Sequence, residues 1–293
     1  MKIRGSVWLN GRIVAAARAR VSVFDRGLLY GDGLFETVRL YRGQPFALAE
    51  HLARMRASAE ALAIPLPAVR WPVAIARLLG RNGLADGDGW LRITLTRGPS
   101  ERGLLPSSDC RPTLLLSCGH LDPHLAVQQQ RGIAAALLPF ARNPLLAEHK
   151  TANYLDGIIG RVAASRRRCA EGIFIAEDGT IREATTANLF IVSKADEIVT
   201  PPPIGILRGV ARSLVLGLLR QQGRPAREGA VTVDDLTHAG EVFLTSSIAE
   251  VLPVVAVNGR PIGTGHTGKQ TKAIQKLYRE YVNSPLSPGV LIG

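Results

Sequence analysis

Cysteine is scarce in this 293-residue chain: Cys110, Cys118 and Cys169 are too few and too scattered for a disulfide framework or a zinc site. No apolar run approaches the roughly 18 residues of a membrane-spanning helix. The opening Met1-Lys2-Ile3-Arg4 runs at once into Gly5 and Asn10-Gly11, so no signal-peptide core is expected. Acidic residues are the minority, 24 against 36 basic, for a net charge of +12. Such an excess suits either a nucleic-acid partner or an arginine-rich surface. Most of it is arginine spread along the chain, and the one tight run, Arg166-Arg167-Arg168, ends a predicted helix, where cations suit the dipole. No zinc-finger or aromatic RNA-binding signature accompanies it. The expectation is a cytoplasmic globular protein with no membrane, metal or nucleic-acid partner, some of whose arginines serve an anionic small molecule.

What is present is an ordinary globular composition, 46% apolar and 20% charged, which excludes disorder. At roughly 150 residues per domain the length predicts about two domains. Early on, Val7-Trp8-Leu9, Asn10-Gly11 and Arg12-Ile13-Val14 read as a hairpin. Strand-like alternation over 34–41 leads to a helix over 48–63, where Leu52, Met55, Ala59 and Leu62 recur at helical spacing. A helix over 73–79 and strands at 91–96 and 113–117 complete an α+β part over residues 1–120. The second part, 121–284, begins with the apolar run 132–138, then a helix carrying Leu155, Ile158, Ile159, Val162 and Ala163 on one face. Strands follow at 172–176, 187–192 and 197–200, then helices over 208–221 and 271–281. Residues 285–293 read as a loose tail.

Six lysines occur, and Lys150 stands apart in Ala147-Glu148-His149-Lys150-Thr151-Ala152-Asn153-Tyr154, just before an amphipathic helix. A partly buried lysine has a lowered pKa and acts as nucleophile or Schiff-base former; on the residues alone a solvated lysine at a helix start is the commoner case. Glu183 follows in Arg182-Glu183-Ala184-Thr185-Thr186, either a carboxylate placed to hold a protonated ring nitrogen or a surface glutamate after the Asp178-Gly179 turn. Gly209-Val210-Ala211 opens a helix whose first N–H groups suit a phosphate. Thr245-Ser246-Ser247 puts hydroxyls at the end of an apolar strand.

Taken in order, Tyr30-Gly31-Asp32-Gly33-Leu34-Phe35-Glu36-Thr37, Glu50-His51-Leu52-Ala53-Arg54, His149-Lys150 to Tyr154-Leu155, Glu183 to Phe190, Leu207-Arg208-Gly209 and Thr245-Ser246-Ser247 with Glu250 resemble the class IV aminotransferase family. That family comprises branched-chain and D-amino-acid aminotransferases and 4-amino-4-deoxychorismate lyase. The resemblance runs from about Trp8 to Tyr281. It implies a mixed α/β, two-domain fold-type IV enzyme using pyridoxal 5'-phosphate in the interdomain cleft, and a homodimer. By the resemblance, Lys150 carries the cofactor and moves protons, and Glu183 pairs with the pyridine nitrogen. Arg54, Ser246, Ser247 and the N–H groups of Val210 and Ala211 take the phosphate, and Tyr154 approaches the phenolic oxygen. Ala211 stands where family members commonly have Thr, so one hydroxyl contact is lost.

For the substrate, an amine with a carboxylate, the resemblance points to Thr37 and Arg39 on the early strand and to Arg102 in the loop 96–106. Arg102 falls at the carboxylate-binding arginine of D-amino-acid aminotransferases and of the lyases. Gly103-Leu104 departs from the Asn and His that D-amino-acid enzymes carry next, and branched-chain enzymes usually have Gly where this chain has Thr37. This favours the lyase, which releases 4-aminobenzoate and pyruvate, over an amino-acid transaminase; the Glu250 segment fits both.

Overall fold

The computed structural model describes residues 5–107 and 109–284; the tail expected at 285–293 lies outside the described residues. The described residues form two compact units, one of those up to Leu121 together with His149–Asn153, the other of Asp122–Glu148 and those from Tyr154 onward. A single cut near residue 120 therefore misplaces His149–Asn153. Backbone pairing is the reason: Phe35 N–H donates to Lys150 O at 2.9 Å and Ala152 N–H to Gly33 O at 2.8 Å.

In the first unit Asn10 and Gly11 both adopt positive φ, as a tight hairpin turn demands. They join β1 (Ser6–Leu9) to β2 (Arg12–Ala15). Then come α1 (Arg26–Tyr30), β3 (Gly33–Tyr41), β4 (Gln44–Pro45), α2 (Leu48–Ala61), α3 (Trp71–Arg81), β5 (Gly89–Thr96) and β6 (Thr113–Gly119). The antiparallel sheet has the order β2-β1-β6-β5-β3-β4. Period-two alternation turns Leu34, Val38 and Leu40 of β3, and Leu91, Ile93 and Leu95 of β5, onto one face. There they form a core with Met55 and Ala59 of α2 and Ile75, Leu78 and Leu79 of α3. Each Leu, Ile, Val or Met side chain among them contributes roughly 1.5–3 kcal/mol by leaving water.

The second unit contains α4 (Leu125–Arg131), β7 (Ile133–Leu138), α5 (Pro144–Ala147), α6 (Leu155–Arg166), β8 (Glu171–Ile175), β9 (Ile181–Ala184), β10 (Asn188–Val192) and β11 (Ile198–Thr200). These are followed by α7 (Val210–Gln221), β12 (Arg227–Glu228), α8 (Val233–His238), β13 (Glu241–Ser246), β14 (Glu250–Val257), β15 (Arg260–Pro261) and α9 (Lys269–Asn283). The main path of the sheet is β12-β11-β10-β13-β14-β7-β8-β9, with β15 against β14. Parallel pairs β14–β7 and β7–β8 sit among antiparallel ones, and β10 is buried at every residue.

The apolar stripe of α6 faces outward, with Leu155 67%, Ile158 56%, Ile159 51% and Val162 47% exposed, while Gly157, Gly160 and Ala164 are buried. Small residues let α6 approach β7 and β8 closely: a Cβ at Gly160 would run into Leu138 and Thr185. Among the described residues no helix is long and apolar enough to cross a membrane.

Candidate active site

In the first unit β3 offers two faces. Leu34, Val38 and Leu40 enter the core, and Glu36, between them in register, is fully buried with 0% exposure. A carboxylate there is stable only when paired and hydrogen-bonded. Its partners come from α2, three residues apart and so on one helix face. His51 Nδ1 lies 2.6 Å from Glu36 Oε2, and Arg54 donates from Nε to Oε1 at 2.8 Å and from Nη2 to Oε2 at 2.6 Å. Burial pushes the Glu36 carboxyl up, but the Arg54 charge and the bonds from His51 and Arg54 together bring it down to about 2. His51 is held below its ordinary value, chiefly by burial, with the Arg54 and Lys150 charges adding to this against the pull of Glu36. A carboxylate only accepts, so Nδ1 of the neutral ring carries the proton.

The odd residues of β3 take the other face. Lys150, half-buried, holds its ammonium 4.5 Å from the Phe35 ring centroid, and the Arg92 guanidinium lies 3.7 Å from it. Lys150 thus sits in a turn paired to β3, five residues ahead of α6, which answers the helix-start alternative. Thr37 follows Phe35 on the same face and is half-buried. Arg39 is buried, 3.9 Å from Asp88 and over the Tyr41 ring. Arg102 is exposed in its loop and makes no ion pair with the described residues. The loop is tied down beside it, since Arg26 donates to Gly103 O at 2.7 Å and Leu104 O at 2.8 Å and also pairs with Asp32.

In the second unit Glu183, on β9, is 4% exposed, which excludes the surface-glutamate alternative. Its Oε1 accepts from Arg142 Nη1 at 3.1 Å, and its Oε2 from Asn188 Nδ2 at 3.3 Å and Leu207 N at 3.2 Å. Arg142 bonds Asp156 through Nε at 3.0 Å and lies 5.2 Å from the Tyr154 ring centroid. Burial acts to lower the Arg142 pKa, but Glu183, Tyr154 and Asp156 raise it on balance. The Tyr154 phenol is pushed up to about 12 by burial, with Arg142 opposing and the neighbouring carboxylates assisting. Beyond Glu183, Thr185 and Thr186 donate to the buried Glu171, which pins the turn leading into β10.

Val210 and Ala211 are the first residues of α7 and both are buried; the preceding Gly209 offers no side-chain cap. That helix start carries N–H donors without intrahelical partners. A Cβ at Gly209 would run into Asn188 Oδ1, and Asn188 is itself held by its bonds to Glu183 and Leu207 O. Ser246 and Ser247 are half-buried at the end of β13, where Ser246 Oγ accepts from Ala249 N at 3.1 Å. Nearby in sequence, Thr245 Oγ1 is buried without a hydrogen-bond partner, as is Arg142 Nη2. Such atoms cost about 1–3 kcal/mol each unless a polar ligand takes them up. The first unit thus presents a primary amine and an arginine, and the second a buried, anchored carboxylate and a helix start whose first N–H groups have no intrahelical partner.

Sequence reading gave Glu36, His51, Arg142 and Asn188 no role. A signal existed for the first two: Glu36 interrupts the apolar side of β3, and His51 and Arg54 share one face of α2. Arg142 lies in a loop and carries no local pattern.

Comparison with known proteins identifies the family. Residues 33–257 match the family model described as Amino-transferase class IV. A D-alanine aminotransferase of Bacillus licheniformis is 34% identical over 92% of this chain and 94% of its own. A putative branched-chain-amino-acid aminotransferase of Methanocaldococcus jannaschii is 32% identical, covering 94% and 95%. An aminodeoxychorismate lyase of Bacillus subtilis is 30% identical, covering 95% of each. Among solved structures, the branched-chain amino acid aminotransferase of Escherichia coli superposes with a TM-score of 0.85 at 27% identity, covering 93% of each chain. The fold is the mixed α/β fold of these enzymes. A similar branched-chain enzyme is solved with pyridoxamine 5'-phosphate, and the family's cofactor is pyridoxal 5'-phosphate. The chain belongs to the class IV aminotransferase family.

Proposed function

We propose that the chain is a 4-amino-4-deoxychorismate lyase, forming 4-aminobenzoate and pyruvate. The observation that carries this reading is Thr37, a half-buried hydroxyl on the same face of β3 as Phe35, the ring against which the Lys150 ammonium lies. Elimination differs from amino transfer in needing a proton at the departing enolpyruvyl group, and a hydroxyl on the lysine's face is suited to relay one.

When bound, the cofactor draws electrons from the bonds at the carbon bearing the substrate nitrogen. Lys150 Nζ takes the proton from that carbon. Glu183, oriented by Arg142, Asn188 and Leu207 N–H, holds the ring-nitrogen proton. Tyr154, whose raised pKa keeps it protonated, donates from its hydroxyl to the phenolic oxygen. Arg54, the start of α7 at Val210 and Ala211, Ser246 and Ser247 take the phosphate. Arg102, with Arg39, takes the substrate carboxylate. The test is pyruvate release from 4-amino-4-deoxychorismate, run beside a panel of D- and L-amino acids with 2-oxoglutarate or pyruvate. Turnover confined to the panel would overturn the lyase reading.

A second reading, an amino-acid transaminase, is favoured by the D-alanine and branched-chain enzymes among the relatives and by Arg102, which serves either substrate. We further propose a homodimer, supported by the outward apolar stripe of α6 and, in the first unit, by exposed Val21, Val23, Phe24, Leu28 and Leu29. The free thiols of Cys110, Cys118 and Cys169 favour a reducing cytoplasm.

A further inference from the structure

Glu36 and His51 belong to the motifs through which the chain resembles its family, yet the reaction outlined above gives neither a task. Glu36 is the one charged side chain of β3 that turns toward Leu34, Val38 and Leu40. An apolar residue would pack there without desolvating a charge, so the fold alone supplies no reason for a carboxylate. What the carboxylate does is grip Arg54. It accepts from Nε and Nη2 through its two oxygens, the paired geometry that fixes both the position and the plane of a guanidinium. His51, from the same helix face as Arg54, fixes Oε2 in turn at 2.6 Å. All three side chains are 13% exposed or less.

We propose that Glu36 is a positioning residue for the phosphate site: held by His51, its carboxylate fixes the Arg54 guanidinium in the orientation that receives the phosphate monoester of the cofactor. The inference rests on the reading that Arg54 takes that phosphate. An arginine side chain has much rotamer entropy to lose, and the grip of Glu36 removes that freedom before the phosphate arrives. Charge alone argues the opposite way. A carboxylate beside Arg54 weakens its attraction for a dianion, so an electrostatic role predicts tighter phosphate binding once Glu36 is neutralised. The two accounts differ in sign.

The experiment compares pyridoxal 5'-phosphate with pyridoxal, which lacks the phosphate, as ligands of the full chain stripped of cofactor. Wild type, Glu36→Gln, Glu36→Asp and Arg54→Lys are titrated, together with the double variant Glu36→Gln/Arg54→Lys. Glu36→Gln keeps the shape and loses the charge, whereas Glu36→Asp keeps the charge and withdraws it by one methylene. Loss of a charge-assisted pair predicts that both weaken pyridoxal 5'-phosphate binding about 10- to 100-fold while pyridoxal binding stays within about threefold. Glu36→Gln should add little once Arg54 is already Lys, because the carboxylate acts through the guanidinium. The 31P resonance of the bound cofactor should shift in both Glu36 variants. Tighter pyridoxal 5'-phosphate binding in Glu36→Gln, or an equal loss for both ligands, overturns the inference. If Arg54→Lys alone loses the preference for the phosphorylated ligand, the inference falls and the phosphate assignment survives. If no variant loses it, the assignment itself falls.

Discussion

Arg142 Nη1 donates to Glu183 Oε1 at 3.1 Å while its Nε holds Asp156 at 3.0 Å, so one buried guanidinium bridges two carboxylates. Glu183 is 4% exposed, and this bridge sets a positive charge against it in the interior. Breaking a buried pair by removing one partner costs about 3–5 kcal/mol, because the other charge stays behind. Arg142→Met should therefore lower urea stability by about that amount, and Arg142→Met/Glu183→Gln by clearly less than the sum of the single changes. Additive effects would mean the pair is not coupled.

Acid lability should centre on Glu36 and His51. The folded pKa of Glu36 is depressed from 4.5 to about 2, so its stabilisation is complete above 4.5 and is lost as pH falls toward about 2. A full shift of this size is worth on the order of 3 kcal/mol. His51 is also depressed, so the cost of protonating its neutral ring adds as pH falls below its ordinary 6.5. Denaturation midpoints across this range should fall steeply in wild type and less steeply in Glu36→Gln. Parallel curves would contradict the pairing.

Tyr154 gives the alkaline counterpart. Its pKa is raised from 10.0 to about 12, so its contribution is present below 10.0 and disappears as pH rises through about 12. Tyrosinate absorbance should include a late phenol that Tyr154→Phe removes. A late step of undiminished amplitude in this variant would assign it to another residue.

The outward stripe of α6 offers a test of assembly. Ile158 and Ile159 are both more than half exposed, so Ile158→Glu with Ile159→Lys should leave monomer stability within about 0.5 kcal/mol. Light scattering should show the mass of two chains in wild type and of one in the double variant. An unchanged mass would remove this face from the interface.

Much of the fold is written in local pattern. Alternation in β5, helical spacing in α2 and the Asn10-Gly11 turn each act over a few residues, and the structure carries all three. Lys150 and Glu183 are legible because their types are rare or motif-bound where they stand. The failures are tertiary. The stripe of α6 has the period of a buried face, yet glycines on the opposite side win by allowing closer approach to β7 and β8. His149–Asn153 joins the first unit through backbone bonds that no side-chain pattern announces. Arg142 meets Glu183 from 41 residues away, and nothing local in its loop marks it.

The most direct test is turnover of 4-amino-4-deoxychorismate with no 2-oxo acid present. A lyase needs no amino acceptor, so pyruvate and 4-aminobenzoate should accumulate in equal amounts over many turnovers, and Lys150→Ala should abolish both. Reaction that stops after one equivalent per cofactor and resumes only when a 2-oxo acid is added would show a transaminase and contradict the lyase.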